Sequence, residues 1–277
     1  MIHLEILKQV LQSLNLGHSV LDANGNLIQV KLNGNYYYFA NSQTPFNRQD
    51  IVAVCRDKQF THLALDGKIN QPKTIGYLDP FCDIRYEKYK YFDNYKSICK
   101  DICSNFSLPI IIKPNKGAAG QGVTLNTNLP DVETAISALF NHDNKEYDYV
   151  ILAQKYIDIK FEYRVLTVNG QIELMYLKDN SQGKFVGNLS PLHWENSKAK
   201  KVTDISLQAK IHKFIEPIFK TLDIFWCGLD IVIDQNGEIW LIELNTSPGF
   251  SYYLESNDLQ SITDLYRKAL TKYFNIN

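Results

Sequence analysis

The sequence predicts a mixed α/β (α+β) fold in which helices alternate with mainly antiparallel strands. Two observations lead there. Apolar residues recur at helical spacing in several segments, and apolar runs flank Asn-Gly pairs at Asn169-Gly170 and Asn236-Gly237. Such pairs are the strongest short-range hairpin signal. The chain has 277 residues, 45% hydrophobic and 21% charged, enough for two or three lobes with their own cores. We divide it into a short N-terminal lobe (1–75), a central lobe (76–155) and a C-terminal lobe (156–277).

Leu4, Ile6, Leu7, Val10, Leu11 and Leu14 predict a helix over 4–14, closed by Gly17. Strands at 27–32 and 35–39 flank Asn33-Gly34. A helix is expected across 50–66, stopped by Pro72, and another over 83–105, rich in tyrosine and lysine. Ile110-Ile111-Ile112 makes a short buried strand, residues 115–122 a glycine-rich loop, and 123–125 a second strand. Val132, Ala135, Ile136, Leu139 and Phe140 mark an amphipathic helix over 131–140, followed by a strand at 149–153. The two Asn-Gly hairpins span 161–168 with 171–177 and 228–234 with 238–244; an irregular loop, 179–203, and a helix, 205–222, lie between them.

Composition excludes several classes. The formal net charge is −1, with no basic excess for nucleic acid or an anionic membrane. No apolar run approaches the ~20 residues needed to span a bilayer. Met1-Ile2-His3-Leu4-Glu5 lacks the basic and apolar regions of a secretory signal. The five cysteines are odd in number, contain no Cys-x-x-Cys pair and read as reduced thiols. A cytoplasmic location is expected. His3, His18, His62, His142, His193 and His212 are scattered without metal-ligand spacing.

The second hairpin carries the strongest local argument. A two-residue Asn236-Gly237 turn would set Gln235 opposite Glu238, Ile233 opposite Trp240 and Asp230 opposite Glu243. Asn245 then shares the face of Glu243. Two carboxylates directly across a sheet repel. In an apolar setting they take up a proton or hold a cation. Aspartate, glutamate and an asparagine carbonyl are hard oxygen ligands suited to Mg²⁺. The alternative is a solvated strand end with ordinary surface acids.

Lys113 ends an apolar strand, where an ammonium needs an anionic partner. The loop that follows holds Gly117, Gly120, Gln121 and Gly122. Its small residues let backbone N–H groups approach an anion. Together they form a candidate phosphate cradle, with a mobile surface loop as the alternative.

In order along the chain, Lys113-Pro114 with the glycine loop, Gln154-Lys155-Tyr156-Ile157, Glu162-Tyr163-Arg164-Val165, Asp230 and Glu243-x-Asn245 resemble the ATP-grasp superfamily. The resemblance runs from about 50 to 255. Within it the chain is similar to carboxylate–amine ligases. Asp57-Lys58 resembles their first ATP-binding lysine, and Glu243-Leu244-Asn245-Thr246-Ser247-Pro248-Gly249 resembles the ending of D-alanine–D-alanine ligases. Lys178 and the stretch 183–189 resemble the ribosomal-protein glutamate ligase and cyanophycin synthetase branch. Two departures stand out. Gly228 occupies the place where D-alanine–D-alanine ligases carry an arginine, and Ser190-Pro191-Leu192-His193 replaces the other branch's His-Arg-Gly-Gly.

The resemblance implies two α+β lobes holding ATP between antiparallel sheets. Adenine would contact Gln154, Lys155 and Ile157, and Glu162 the ribose. Lys58, Lys113 and Lys178 would offset phosphate charge. Asp230, Glu243 and Asn245 would hold one or two Mg²⁺, and Mn²⁺ would also fit. Arg164 and Lys178 are the candidates for stabilising an acyl phosphate or oxyanion, with an Arg164–Glu162 ion pair as the alternative. Small-molecule carboxylate and amine substrates are implied, and dimers are common among similar enzymes. Three other readings stay open: a small-molecule kinase, a non-catalytic nucleotide-binding protein, and a ligase acting on a peptide or protein, docked at Tyr86, Tyr89, Tyr91 and Tyr95.

Overall fold

Hydrophobic periodicity and turn chemistry build three sheets. The computed structural model describes residues 2–145 and 147–276. Helix α1 (Ile2–Ser13) leads into strands β1 (His18–Val20), β2 (Leu27–Leu32) and β3 (Asn35–Ala40), which form a sheet in that order. Asn33 and Gly34 take φ of 50° and 80°, and Leu32 pairs with Asn35, so the expected two-residue turn forms.

The helix expected over 50–66 is two helices, α2 (Gln49–Arg56) and α3 (Lys58–Ala64). The break has a local cause. Asp57 takes an extended conformation and its Oδ1 accepts from Phe60 N at 2.9 Å, capping α3. Its Oδ2 accepts from Asn115 Nδ2 at 2.8 Å, and Asn115 Oδ1 accepts from Gln59 N at 2.9 Å. The start of α3 is thereby tied to the entrance of the glycine loop.

The central sheet comprises β4 (Thr74–Leu78), β5 (Ile110–Pro114), β6 (Thr124–Asn126) and β7 (Val150–Lys155), in the order β4-β7-β5-β6. Helices α4 (Tyr95–Asn105) and α5 (Leu129–Leu139) cover it. Their Ile98, Ile102, Val132 and Ile136 pack on Ile110, Ile112 and Ile151. The single helix expected over 83–105 is a 3₁₀ turn, Ile84–Tyr89, followed by α4. Asn94 separates them, because its Oδ1 caps Ser97 N at 2.9 Å.

The third sheet is β10-β9-β8-β11-β12, with β8 (Ile159–Val168), β9 (Gln171–Asp179), β10 (Lys198–Lys201), β11 (Trp226–Asp234) and β12 (Ile239–Asn245). Strand β10 lies inside the segment 179–203 that the sequence presents as irregular. Its Lys-Ala-Lys-Lys run offers one buried side chain, Ala199, and pairs on an edge. Odd-numbered Val165, Leu229, Ile231 and Leu241 bury one face with Ile211, Ile215 and Ile218 of α6 (Ile205–Thr221). Each fully buried side chain of this kind contributes about 1.5–3 kcal/mol. On the other face Leu166, Val168 and Trp226 pack with α1, the first sheet and α8 (Gln260–Phe274).

The second hairpin differs from expectation near its tip. Ile233 pairs with Ile239 and Val232 with Trp240, so Gln235 does not face Glu238. Asp234 Oδ1 accepts from Asn236 N and Glu238 N, both at 2.9 Å, and Gly237 takes φ 84°. This side-chain capping makes a three-residue loop instead of a two-residue one. A bulge at Ile242 then restores the count, and Asp230 does pair with Glu243.

Replacing Asp57 by alanine removes the α3 cap and strands the buried Asn115 amide. The loss should be about 2 kcal/mol, read as a lower urea midpoint at unchanged slope. A midpoint equal to wild type would show that this tie carries no weight.

Candidate active site

Residues directly opposed on antiparallel strands share a face. The pairings Arg164–Tyr176, Arg164–Asp230, Asp230–Glu243 and Gly228–Asn245 therefore set these side chains on one face of the third sheet, with Glu162 and Lys178 one step along. This is the face whose far end is apolar. Where it emerges from the core it becomes a charged array.

Asp230 is the hub. Its Oδ1 lies 2.9 Å from Arg164 Nε and 2.9 Å from Lys178 Nζ, and Arg164 Nη2 donates to its Oδ2 at 3.3 Å. Lys178 also pairs with Glu162. The Arg164–Glu162 alternative is not what forms; each acid takes a partner across the sheet. Burial works against ionising Asp230, but Arg164 and Lys178 outweigh it and hold the carboxyl below its ordinary range. Burial likewise opposes charge on Lys178 and Arg164; Asp230 with Glu162 for Lys178, and Asp230 with Tyr176, Glu243 and Glu162 for Arg164, together outweigh it. Lys58 Nζ approaches Glu243 to 3.7 Å. The repulsion expected between Asp230 and Glu243 is thus met by the protein's own cations.

Arg164 Nε and Asp230 Oδ1 are close but off-line for a hydrogen bond, so both buried atoms keep unused bonding capacity. Asp230, Glu243 and the Asn245 amide present oxygen donors on one face. That donor chemistry fits a hard divalent cation. Among the described residues no three acidic, histidine or cysteine side chains converge as a metal cluster, and the Asn245 amide oxygen accepts from Ser247 N at 2.8 Å.

Opposite stands Lys113 on β5, only 4% exposed. It donates to Gln154 Oε1 at 2.9 Å, and Gln154 Nε2 donates to Thr74 Oγ1 at 2.9 Å. Burial pulls the Lys113 ammonium down to about 8, against the pull of Glu243. Lys58 Nζ donates to Gly117 O at 2.9 Å, beside the glycine loop. A narrow cavity between the sheets touches Lys58, Lys113, Gln154, Ile242 and Glu243. Ile242, the bulge residue, lines this wall with its neighbours Leu241, Glu243 and Leu244. A second cavity, about 320 Å³, is bounded by Lys155, Tyr156, Ile157 and Trp240, with Lys155 Nζ 5.5 Å from the Trp240 ring centre.

The glycine loop has left-handed backbone at Gly117, Ala119, Gly120 and Gly122. Gln121 is exposed. At Gly120 a Cβ would run into Asn188 Oδ1. Asn188 Nδ2 donates to Ala119 O at 2.8 Å, and Trp194 Nε1 donates to Asn188 O at 2.6 Å. This clasp joins two loops far apart in sequence. Only the glycine at 120 hints at it, since glycine permits close backbone approach. Gly228 is similarly confined: a Cβ there would sit 3.0 Å from Pro248 Cβ and 3.1 Å from Arg164 Nη1. The guanidinium of Arg164 occupies the space over the residue that lacks a side chain.

The fold and the site define an ATP-grasp protein. The chain belongs to the RimK-like ATP-grasp family, which matches residues 84–265. Such enzymes use ATP with a divalent metal. The chain is 27% identical over 169 residues to a D-alanine–D-alanine ligase of Buchnera aphidicola, covering 60% of this chain and 51% of that protein. It is 25% identical over 255 residues to one from Azobacteroides pseudotrichonymphae, covering 76% and 75%. The fold resembles a bifunctional glutathione synthetase from Pasteurella multocida, with TM-score 0.58 and 14% identity over 99% of this chain and 43% of that one. The chain thus spans about half the length of the Buchnera ligase. Among the described residues no helix is long and apolar enough to cross a membrane.

Asn188→Ala should release the glycine loop. Amide exchange across 117–122 should then speed up about tenfold or more, while exchange in β5 stays slow. Equal protection in the variant would show that the clasp does not hold the loop.

Proposed function

We propose that this chain is an ATP-dependent carboxylate–amine ligase that forms an amide bond through an acyl phosphate, releasing ADP and phosphate. The observation that carries this reading is the Arg164–Asp230–Lys178 array on one sheet face, with Glu243 beside it and lining a cavity together with Lys58 and Lys113. Similar proteins named D-alanine–D-alanine ligase support this reading. Small carboxylate and amine substrates, with no nucleic-acid or membrane partner and a cytoplasmic location, complete the proposal. The functional units proposed are 1–75, 76–155 and 156–277.

The resemblance to ATP-grasp ligases supports the following residue roles. Gln154, Lys155 and Ile157 line the adenine end, and Glu162 takes ribose hydroxyls. Lys58, Lys113 and Lys178 face phosphates, and Gly117, Gly120, Gln121 and Gly122 bring backbone N–H groups over them. Asp230, Glu243 and Asn245 hold Mg²⁺. A divalent cation held there would offset charge that develops on phosphate oxygens. Arg164 and Lys178 stabilise the acyl phosphate and the tetrahedral oxyanion. Four cations (Lys58, Lys113, Arg164, Lys178) stand against three carboxylates (Glu162, Asp230, Glu243). The cluster therefore retains positive charge for an anionic substrate. Catalysis is positioning and charge stabilisation, with water excluded once the loop closes.

Phosphate release screened over pairs of amino acids and small peptides tests the reading. Arg164→Ala should cost about 2.7–4 kcal/mol in turnover, as for loss of one oxyanion donor, with ATP affinity changed far less. Glu243→Gln should remove most turnover at limiting Mg²⁺. Near-normal turnover in both variants with every active pair would end the ligase assignment. A stable phosphorylated product without condensation would point to a kinase.

Lys113 makes binding pH-dependent. Its pKa in the free protein is about 8, below the ordinary value, so it is charged below pH 8 and increasingly neutral above. Triphosphate binding favours the charged form and raises that pKa. ATP affinity should therefore fall as pH rises above about 8, with a proton taken up on binding, each unit of pKa rise being worth about 1.4 kcal/mol. Calorimetry near pH 8.5 in buffers of different ionisation heat should detect this uptake, and Lys113→Met should abolish it.

A further inference from the structure

An amine that attacks an acyl phosphate acquires positive charge in the tetrahedral adduct and must lose a proton to become an amide. A positioned base speeds this step. The carboxylates nearby are committed to cations: Asp230 to Arg164 and Lys178, Glu162 to Lys178, and Glu243 to Lys58. His3 bonds Asn41 O and His142 bonds Asp79, and His62 lies on the cavity wall beside Lys58 and Lys113, away from β9.

His193 is placed differently. It ends the 3₁₀ turn Pro191–His193, which packs on β9, the strand of Tyr176 and Lys178. The Tyr252 hydroxyl lies 2.9 Å from His193 Nδ1, and the two rings meet edge-on with centroids 4.8 Å apart. His193 Nε2 makes no hydrogen bond among the described residues. Tyr252 belongs to helix α7 (Ser251–Leu254), whose Tyr253 ring packs 5.1 Å from that of Tyr176. Tyr176 shares the sheet face of Arg164 and Asp230. Pro248, just before α7, sits against Gly228. The His193–Tyr252 pair therefore stands at the rim of the charged array, on the side of Lys178. Burial and the charge of Lys178 lower the His193 pKa, which keeps the ring neutral near pH 7.

We propose that His193, oriented by Tyr252, is the base that takes the proton from the amine acceptor. The inference rests on the ligase reading above. The amine nitrogen forms its bond to the acyl carbon. The bond from that carbon to the phosphate oxygen breaks, and phosphate departs with the electron pair. One N–H proton passes to His193 Nε2 and from there to solvent. Tyr252 fixes the ring through Nδ1 and is a positioning residue.

Hydroxylamine separates this step from the chemistry before it. It is uncharged near neutral pH and attacks acyl phosphates without help from a base. With Mg²⁺-ATP and each amino acid in turn as carboxylate, the wild-type protein should give hydroxamate with hydroxylamine and amide with amino-acid amines. His193→Gln should keep hydroxamate formation within about twofold and lose about 100-fold in amide formation. Tyr252→Phe should lose about tenfold in amide formation alone. Hydroxamate formation in the variant also reports that the site is folded. Equal loss of both products would make His193 a structural residue and overturn the proposal, as would unchanged amide formation. If the wild type forms no hydroxamate with any carboxylate, the ligase reading itself fails and this inference with it.

Discussion

The site depends on one constraint: Asp230 is a largely buried carboxylate that shares a sheet face with the buried Lys178 and the partly buried Arg164. Lys178 is 5% exposed, and both Arg164 and Lys178 reach the same carboxylate oxygen. Desolvating such charges costs several kcal/mol per ion, and removing one partner leaves the others uncompensated at about 3–5 kcal/mol. A cluster of this kind is poor value for stability alone. It is explicable where the charges are to be re-partnered by ligand, because strained electrostatics concentrate at functional sites.

The surrounding architecture keeps those charges in register. The odd-numbered residues of β8 and β11 are committed to the α6 core, so a one-residue slip would drive Arg164 and Asp230 into apolar packing. The Ile242 bulge is the complementary device. It absorbs the offset introduced by the three-residue loop at Asp234, returns Glu243 to a position opposite Asp230 and leaves Ile242 against the cavity. Gly228 removes a side chain where Arg164 needs room.

Much of this is legible in the sequence, for identifiable reasons. Alternation along 228–245 places the acids on one face, and Asn169-Gly170 fixes the first hairpin, where Val168 pairs with Gln171. The Asp230–Glu243 pairing is legible too, although the turn geometry that predicts it is not the one that forms: two one-residue offsets cancel. What stays hidden depends on contacts distant in sequence or on side-chain caps that redirect the backbone. Asp57 and Asn94 break helices that periodicity alone would continue. Asn188 meets Ala119 across 69 residues, which no local pattern encodes. The cation partners of Asp230 are individually visible as Arg164 and Lys178, but their convergence needs β9, β8 and β11 to lie side by side.

The ion pairs also constrain how such a site works. Asp230 cannot serve a divalent cation while Arg164 and Lys178 retain their full grip, because all three positive groups would crowd one carboxylate. Binding of a metal–triphosphate would resolve the conflict by supplying anionic oxygens to which the guanidinium and ammonium can turn. In the proposed function, their release from Asp230 would leave the carboxylate available to a cation. The exchange costs little net charge separation, since each cation trades one oxyanion for another in a water-poor setting. Metal and nucleotide should therefore bind cooperatively, each weakly alone, because either one by itself leaves an uncompensated charge in the cleft. Such coupling would originate in the pairing of Asp230 with two cations.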